Sequence, residues 1–129
     1  MTFENHIDSL NHLIVVENGA NHNVITNNLI QARKYAYYLI YIENTITNGH
    51  NSFIHNYFKN GYEGLTFRFR NYPTDYTEGV VIEGNFFENI TGRAIRAVYL
   101  SDIVISNNLI MSDTSHSNHQ AIFLSLIHI

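Results

Sequence analysis

Cysteine is absent from this chain and proline occurs once. Without cysteine there is no disulfide frame and no thiolate chemistry, and nothing speaks to the redox compartment. Charge is scarce as well: charged residues make up 14% of the chain and the net charge is −4. A nucleic-acid-binding protein would show a basic stripe, and none is present. No apolar run approaches the roughly 18 residues that a membrane span requires. Residues 1–5 carry neither the charged nor the apolar region of a secretory signal. What remains is a chain of 129 residues, 45% hydrophobic and 13% aromatic. That is enough for one domain with a real core, and it excludes a disordered tail or a linker.

What the chain has in excess is asparagine, 18 residues or about one in seven. Five of these share one local frame: Asn5, Asn28, Asn56, Asn85 and Asn108. The frame is clearest as Ile25-Thr26-Asn27-Asn28-Leu29-Ile30, Phe53-Ile54-His55-Asn56-Tyr57-Phe58, Ile82-Glu83-Gly84-Asn85-Phe86-Phe87 and Ile105-Ser106-Asn107-Asn108-Leu109-Ile110. The intervals are 23, 28, 29 and 23 residues. A period in that range signals a solenoid of stacked units.

Asn28, Asn56, Asn85 and Asn108 each stand between two apolar residues, three before and two after, as two short strands meeting at a corner require. Asn5 is the weakest member, because Thr2 occupies its preceding apolar slot. Asparagine tolerates the left-handed region, so the frame predicts that these asparagines take the corner conformation themselves. Stacked one coil apart, about 4.8 Å, their amides can also bond to each other as a ladder. A further strand precedes each asparagine, over residues 12–17, 37–42, 65–70, 94–99 and 121–126. Several of these follow a turn marked by Gly61, Gly64, Gly92 or Asn118. The two long intervals carry insertions at 43–51 and 71–78.

The pattern resembles the right-handed parallel β-helix of the pectate-lyase-like superfamily, whose repeat form is gI-x-l…v-x-I-x-n-N-x-i. Ile95, Ala97, Ile103, Ile105, Asn107, Asn108 and Ile110 match it best. The rival frame is a leucine-rich repeat, which Leu100, Ile103, Ile105, Asn108 and Ile110 also satisfy. Asn23 and Asn51 fall where that frame wants leucine, and no helix-period segment follows the asparagines. The expected fold is therefore all-β, a right-handed parallel β-helix of about five coils with an asparagine ladder at one corner. Residues 1–129 read as one partial domain, a fragment of a longer solenoid. Its ends would expose strand edges, which predicts end-to-end self-association. The closing residues Leu124-Ser125-Leu126-Ile127-His128-Ile129 read either as a native terminal strand or as translated sequencing-adaptor read-through.

Alternation along Leu65-Thr66-Phe67-Arg68-Phe69-Arg70 sends Thr66, Arg68 and Arg70 outward, and Arg96 points outward in the next coil. Arg68 or Arg70 is then expected one coil spacing from Arg96, where an anion would bridge the two guanidinium groups. The alternative is that these arginines are solvated or pair with Glu63, Asp75 or Asp102. The inserted turn leaving that strand offers Asp75 and Tyr76 as groove contacts, although proline, aspartate and glycine are also plain turn residues. Elimination on a uronic acid needs a base near the C5 proton and a cation on the carboxylate. Arg68, Arg96 and Tyr76 are the catalytic candidates, with His55 and Lys59 more distant. Hydrolysis would need a carboxylate pair, drawn from Asp75, Glu78, Glu83 and Asp102. No catalytic signature of the pectate lyases, polygalacturonases or mannuronan epimerases is present.

His50 with His55, and His116 with His119, have zinc-compatible spacings, and His22 and His50 share a frame position. No cysteine supports them, and we assign no metal. Asn89-Ile90-Thr91 matches a glycosylation acceptor, a triplet common by chance in an asparagine-rich chain. The resemblance implies work on, or binding to, a polysaccharide, in a secreted, periplasmic or cell-surface setting. No cofactor is expected, although the resemblance leaves room for a calcium ion in the parent protein. The first functional expectation is a carbohydrate-active or polysaccharide-binding protein, a polysaccharide lyase before a glycoside hydrolase. It would use Thr66, Arg68, Arg70, Asp75, Tyr76 and Arg96. The alternative is a non-catalytic solenoid of a surface adhesin or phage tail-spike.

Overall fold

In the computed structural model the chain folds into short parallel strands, and no helix occurs among the described residues. Those residues are 1–5, 10–17, 19–32, 36–44, 49–69, 77–111 and 120–125. Sheet I stacks β1 (Thr2–Asn5), β4 (Leu29–Ala32), β7 (Tyr57–Lys59), β11 (Phe86–Glu88) and β15 (Leu109–Met111). Sheet II stacks β3 (Val24–Thr26), β6 (Ser52–Ile54), β10 (Val81–Glu83) and β14 (Val104–Ser106). Sheet III stacks β2 (Leu10–Val16), β5 (Ala36–Asn44), β8 (Glu63–Phe69), β12 (Arg93–Val98) and β16 (Gln120–Ser125). A short pair joins β9 (Thr77–Glu78) to β13 (Leu100–Ser101). Every pairing is parallel. Together the sheets make a β-solenoid of about three turns, with the outer units adding edge strands that have a neighbour on one side only.

The framed asparagines do not take the corner conformation. Positive φ falls on the residue before four of the five: Asn27 (56°), His55 (53°), Gly84 (63°) and Asn107 (54°). The framed residue instead turns inward, and Asn56 and Asn85 are buried. The amide of Asn85 shows why. Its Oδ1 accepts from the backbone N–H of Asn56 at 2.9 Å and from Asn56 Nδ2 at 3.2 Å. Its own Nδ2 donates to the Phe53 carbonyl at 2.8 Å and to Asn108 Oδ1 at 3.0 Å. Asn28 donates to Asn56 Oδ1 in the same way, at 3.1 Å from both nitrogens. A sharp corner strands backbone donors and acceptors inside the coil, and one amide per coil satisfies them. The αL residue before it makes the bend, and its N–H bonds to the next coil, as His55 N does to the Glu83 carbonyl at 3.0 Å.

A second corner repeats the geometry with different chemistry. His22 (54°), His50 (55°), Gly79 (68°) and Asp102 (50°) take positive φ there. Asn23 and Asn51 follow the first two, bonded at 3.0 and 3.1 Å, while Val80 and Ile103 follow the others. The His22 and His50 rings stack at 4.8 Å. Gly79 and Gly84 leave room for the histidine rings of the preceding coil. A Cβ at Gly79 would lie 2.2 Å from His50 Nδ1, and one at Gly84 2.3 Å from His55 Cδ2.

Inward residues form columns along the axis. Ile30, Phe58, Phe87 and Ile110 make one, Ile25, Phe53, Ile82 and Ile105 another. The Phe58 and Phe87 rings stack at 4.7 Å with 7° between planes, close to the strand spacing of about 4.8 Å. Phe53 meets Phe67 edge-on at 6.0 Å, tying sheet II to sheet III. The columns end abruptly: Ile122 pairs with the fully buried Ile95 yet is 41% exposed.

Candidate functional site

The outer face of sheet III concentrates the polar and aromatic side chains, and strand register arranges them in rows along the axis. One row runs His12, Tyr38, Glu63, Arg93, Gln120. The next runs Val15, Tyr41, Thr66, Arg96, Phe123. Arg68 stands in a third row, opposite Glu43. The expected partnership of Arg96 with Arg68 is therefore not formed in register, while the Arg70 alternative lies outside the described residues. The inward pairing of Leu65 with Ile95 fixes the strands so that Thr66, not Arg68, faces Arg96. A slip to the expected pairing would break that column.

Glu63 sits at the centre of this face with a side chain only 1% exposed. A buried carboxylate needs partners, and three are supplied. Arg93 Nη1 donates to Oε1 at 2.8 Å and Thr66 Oγ1 donates to Oε2 at 2.7 Å. Arg96 Nη1 approaches the same Oε1 at 3.6 Å, and the Arg96 Nε is buried with no hydrogen-bond partner. Phe123 of the next coil lies beneath both guanidinium groups, 4.9 Å from the Arg93 Cζ and 5.9 Å from the Arg96 Cζ. Arg93 also donates to Gln120 Oε1 at 2.9 Å. Thr66 is fully buried, so it serves this cluster from within and does not project to solvent.

Beside the cluster lies an open groove of about 480 Å³ lined by His12, Tyr37, Tyr38, Tyr41 and Arg68. Its rings pack on each other: Tyr37 on Tyr38 at 4.5 Å, Tyr38 on Tyr41 at 5.5 Å, and His12 on Tyr41 at 5.8 Å. Tyr37 also meets Tyr62 at 4.6 Å. Gly92 gives Tyr62 its space, because a Cβ there would come within 2.9 Å of the ring. Arg68 Nη1 donates to the Tyr38 hydroxyl at 2.9 Å. Burial raises the Tyr38 phenol above its ordinary pKa, with Arg68 pulling the other way. Burial likewise raises Tyr37, helped by its tyrosine neighbours and Glu63. Both phenols are thus held as neutral donors and acceptors at ordinary pH.

Of the residues singled out in the sequence, Thr66, Arg68 and Arg96 are on this face, while Arg70, Asp75 and Tyr76 lie outside the described residues. Lys59 belongs to sheet I, where it pairs with Glu88 at 3.1 Å. His55 bends the corner between sheets II and I. Glu78 meets His50 at 3.7 Å away from the groove, Glu83 is on sheet II, and Asp102 is a corner residue. These carboxylates are not gathered into a pair on sheet III. His116 and His119 lie outside the described residues. Among the described residues no three His, Asp or Glu side chains come together as a metal site would need, and no helix is long and apolar enough to cross a membrane.

Sequence reasoning missed His12, Tyr37, Tyr38, Tyr41 and Arg93. Their signal was present, since the strands bearing them were recognised. Tyrosines in an apolar strand read as core, however, and Arg93 follows a glycine that reads as a turn. Comparison with known proteins brings no match from any family model, from the curated proteins or from the solved structures, so the likeness to pectate-lyase-like proteins rests on the repeat pattern.

Proposed function

We propose that this chain binds a glycan along the outer face of sheet III. The observation that supports it is the open tyrosine groove continuous with the arginine-bearing rows. Concave sites with aromatic walls and a few placed polar groups are the usual ground for ligand binding. Tyrosine supplies a rigid apolar face and a hydroxyl together, which suits a sugar ring with one apolar face and a polar rim. Neutral phenols and Arg68 are fitting partners for sugar hydroxyls. A polysaccharide ligand also fits an adhesin or tail-spike solenoid outside the cytoplasm, in which no chemistry follows binding.

The test is calorimetric titration with a panel of neutral and acidic hexasaccharides. Tyr41→Ala is expected to weaken the best ligand about tenfold, about 1.4 kcal/mol, with the melting temperature nearly unchanged. No binding across the panel, or equal binding by the variant, would sink the reading. A lyase is the second reading, favoured because His12, a base-capable imidazole, and Arg68, a cation, line one groove. It predicts that incubation with a uronate polymer yields the ultraviolet absorbance of an unsaturated uronate, lost in His12→Ala.

A further inference from the structure

We infer that Arg93 and Arg96, gathered around Glu63, form a subsite for one anionic group of the glycan, a uronate carboxylate or a sulfate ester. This rests on the glycan reading and narrows it to an acidic ligand.

The argument starts from charge. The chain carries −4 overall, yet three of the four described lysines and arginines, Arg68, Arg93 and Arg96, stand on this one face. The fourth, Lys59, is on sheet I. Glu63 needs only one of the guanidinium groups. Arg93 at 2.8 Å and Thr66 at 2.7 Å already occupy its two oxygens. Arg96 adds a second positive charge to the same oxygen from 3.6 Å, too far for a hydrogen bond. Among the described residues the cluster therefore holds two cations around one carboxylate, a local surplus of one positive charge. The Arg96 side chain keeps 23% of its surface exposed, and guanidinium donors are built to bind carboxylates and sulfates by pairs of N–H groups.

The cluster is also preorganised. Phe123 lies under both guanidinium planes, and Glu63 draws both toward one point. Holding donors in place before the ligand arrives removes an ordering cost that binding would otherwise bear. Along its row Arg93 is two strands from the groove residue Tyr38, roughly 10 Å at the usual strand spacing. A glycan seated on the tyrosines thus reaches the arginines within a short oligomer. Glu63 is a positioning residue here, because it acts through the arginines.

The experiment titrates the full chain with a galacturonate hexasaccharide, its methyl ester and a sulfated chondroitin hexasaccharide. Wild type is expected to prefer the acid over the ester by about tenfold, the scale of a charge-assisted contact. Arg96→Gln should lose that preference, its affinity for the acid falling about tenfold more than its affinity for the ester. Glu63→Gln should raise affinity for the acid, because the arginines lose their internal anion. Should that variant not fold, Arg96→Gln and Arg93→Gln still decide the matter. Which acidic probe binds better identifies carboxylate or sulfate as the group taken. Unchanged acid preference in Arg96→Gln overturns the subsite and leaves the glycan reading standing. Failure of wild type to bind any of the three probes overturns the subsite, and failure across the whole neutral and acidic panel overturns the glycan reading as well.

Discussion

The inner asparagine corner and the outer face of sheet III are built from the same coils and follow opposite rules. At the corner, Asn56, Asn85 and Asn108 do one job three times. Each Oδ1 accepts from the N–H and Nδ2 of the framed asparagine before it, and each Nδ2 donates to a carbonyl of that preceding coil. On the outer face no row repeats itself: Tyr38, Glu63 and Arg93 succeed one another in a single row. Repetition is what closure of the coil demands, because every corner strands the same backbone groups. Departure from repetition is what a ligand surface requires. The comparison teaches where to look in a solenoid: stability resides in the positions that recur, and recognition in those that do not.

Removing the recurrent element should have the largest effect. Asn85→Ala leaves the Asn56 N–H and the Phe53 carbonyl without their partner inside the coil. It is expected to cost about 3 kcal/mol at roughly 1–3 kcal/mol per stranded group. Asn28→Ala, at a half-buried amide that donates to Asn56 Oδ1 and to the Thr26 carbonyl, should cost about 1 kcal/mol. Urea midpoints measure both, and equal losses would erase the distinction between inner and outer rungs. Neither Arg96→Gln nor Tyr41→Ala should approach the loss at Asn85.

The next effect is backbone strain. Gly84→Ala places a Cβ 2.3 Å from the His55 ring in a residue with φ of +63°, at an expected cost of about 2 kcal/mol. Adding His55→Ala should recover the steric part and leave the conformational part. A double variant no more stable than Gly84→Ala alone would show that the ring contact is immaterial.

The smallest effect concerns Glu88 and Lys59 on the outside of sheet I. The Tyr57 hydroxyl, and then the Lys59 ammonium, hold the Glu88 carboxyl below its ordinary value of 4.5. Glu88 in turn raises Lys59 above 10.5. A lowered acid contributes stability that is present above its unfolded pKa and lost as pH falls through the folded one. A raised lysine contributes stability that is present below its unfolded pKa and lost as pH rises through the folded one. Glu88→Gln should therefore flatten both limbs of a pH–stability profile, slightly, because the pair is open to solvent.

The architecture was legible because its signal is periodic. The strands read at 37–42 and 94–99 correspond to β5 and β12, and five framed asparagines left little freedom for another repeat. The corner chemistry was only half legible. Asparagine is both a good αL residue and a good amide donor, and the frame does not say which property is in use. His55 and Gly84 settle it, since they take the bend in the two middle units and leave the amide role to their neighbours. The site was least legible. Which arginine faces which residue depends on an inter-strand register fixed by Leu65 and Ile95. Register is a long-range property that a linear pattern does not carry.

The histidine rings over Gly79 and Gly84 bear on how such a chain finds its order. Coils of one solenoid resemble each other enough that a strand could dock one unit too far along. His50 and His55 sit over the two positions where the next residue has no side chain. One unit further on, Asp102 and Asn107 take the same left-handed bend but carry a Cβ. A slipped coil would have to turn both rings aside, as His22 does where it stacks on His50. The pair of glycines thus gives one coil a close seat for two rings that its neighbours lack.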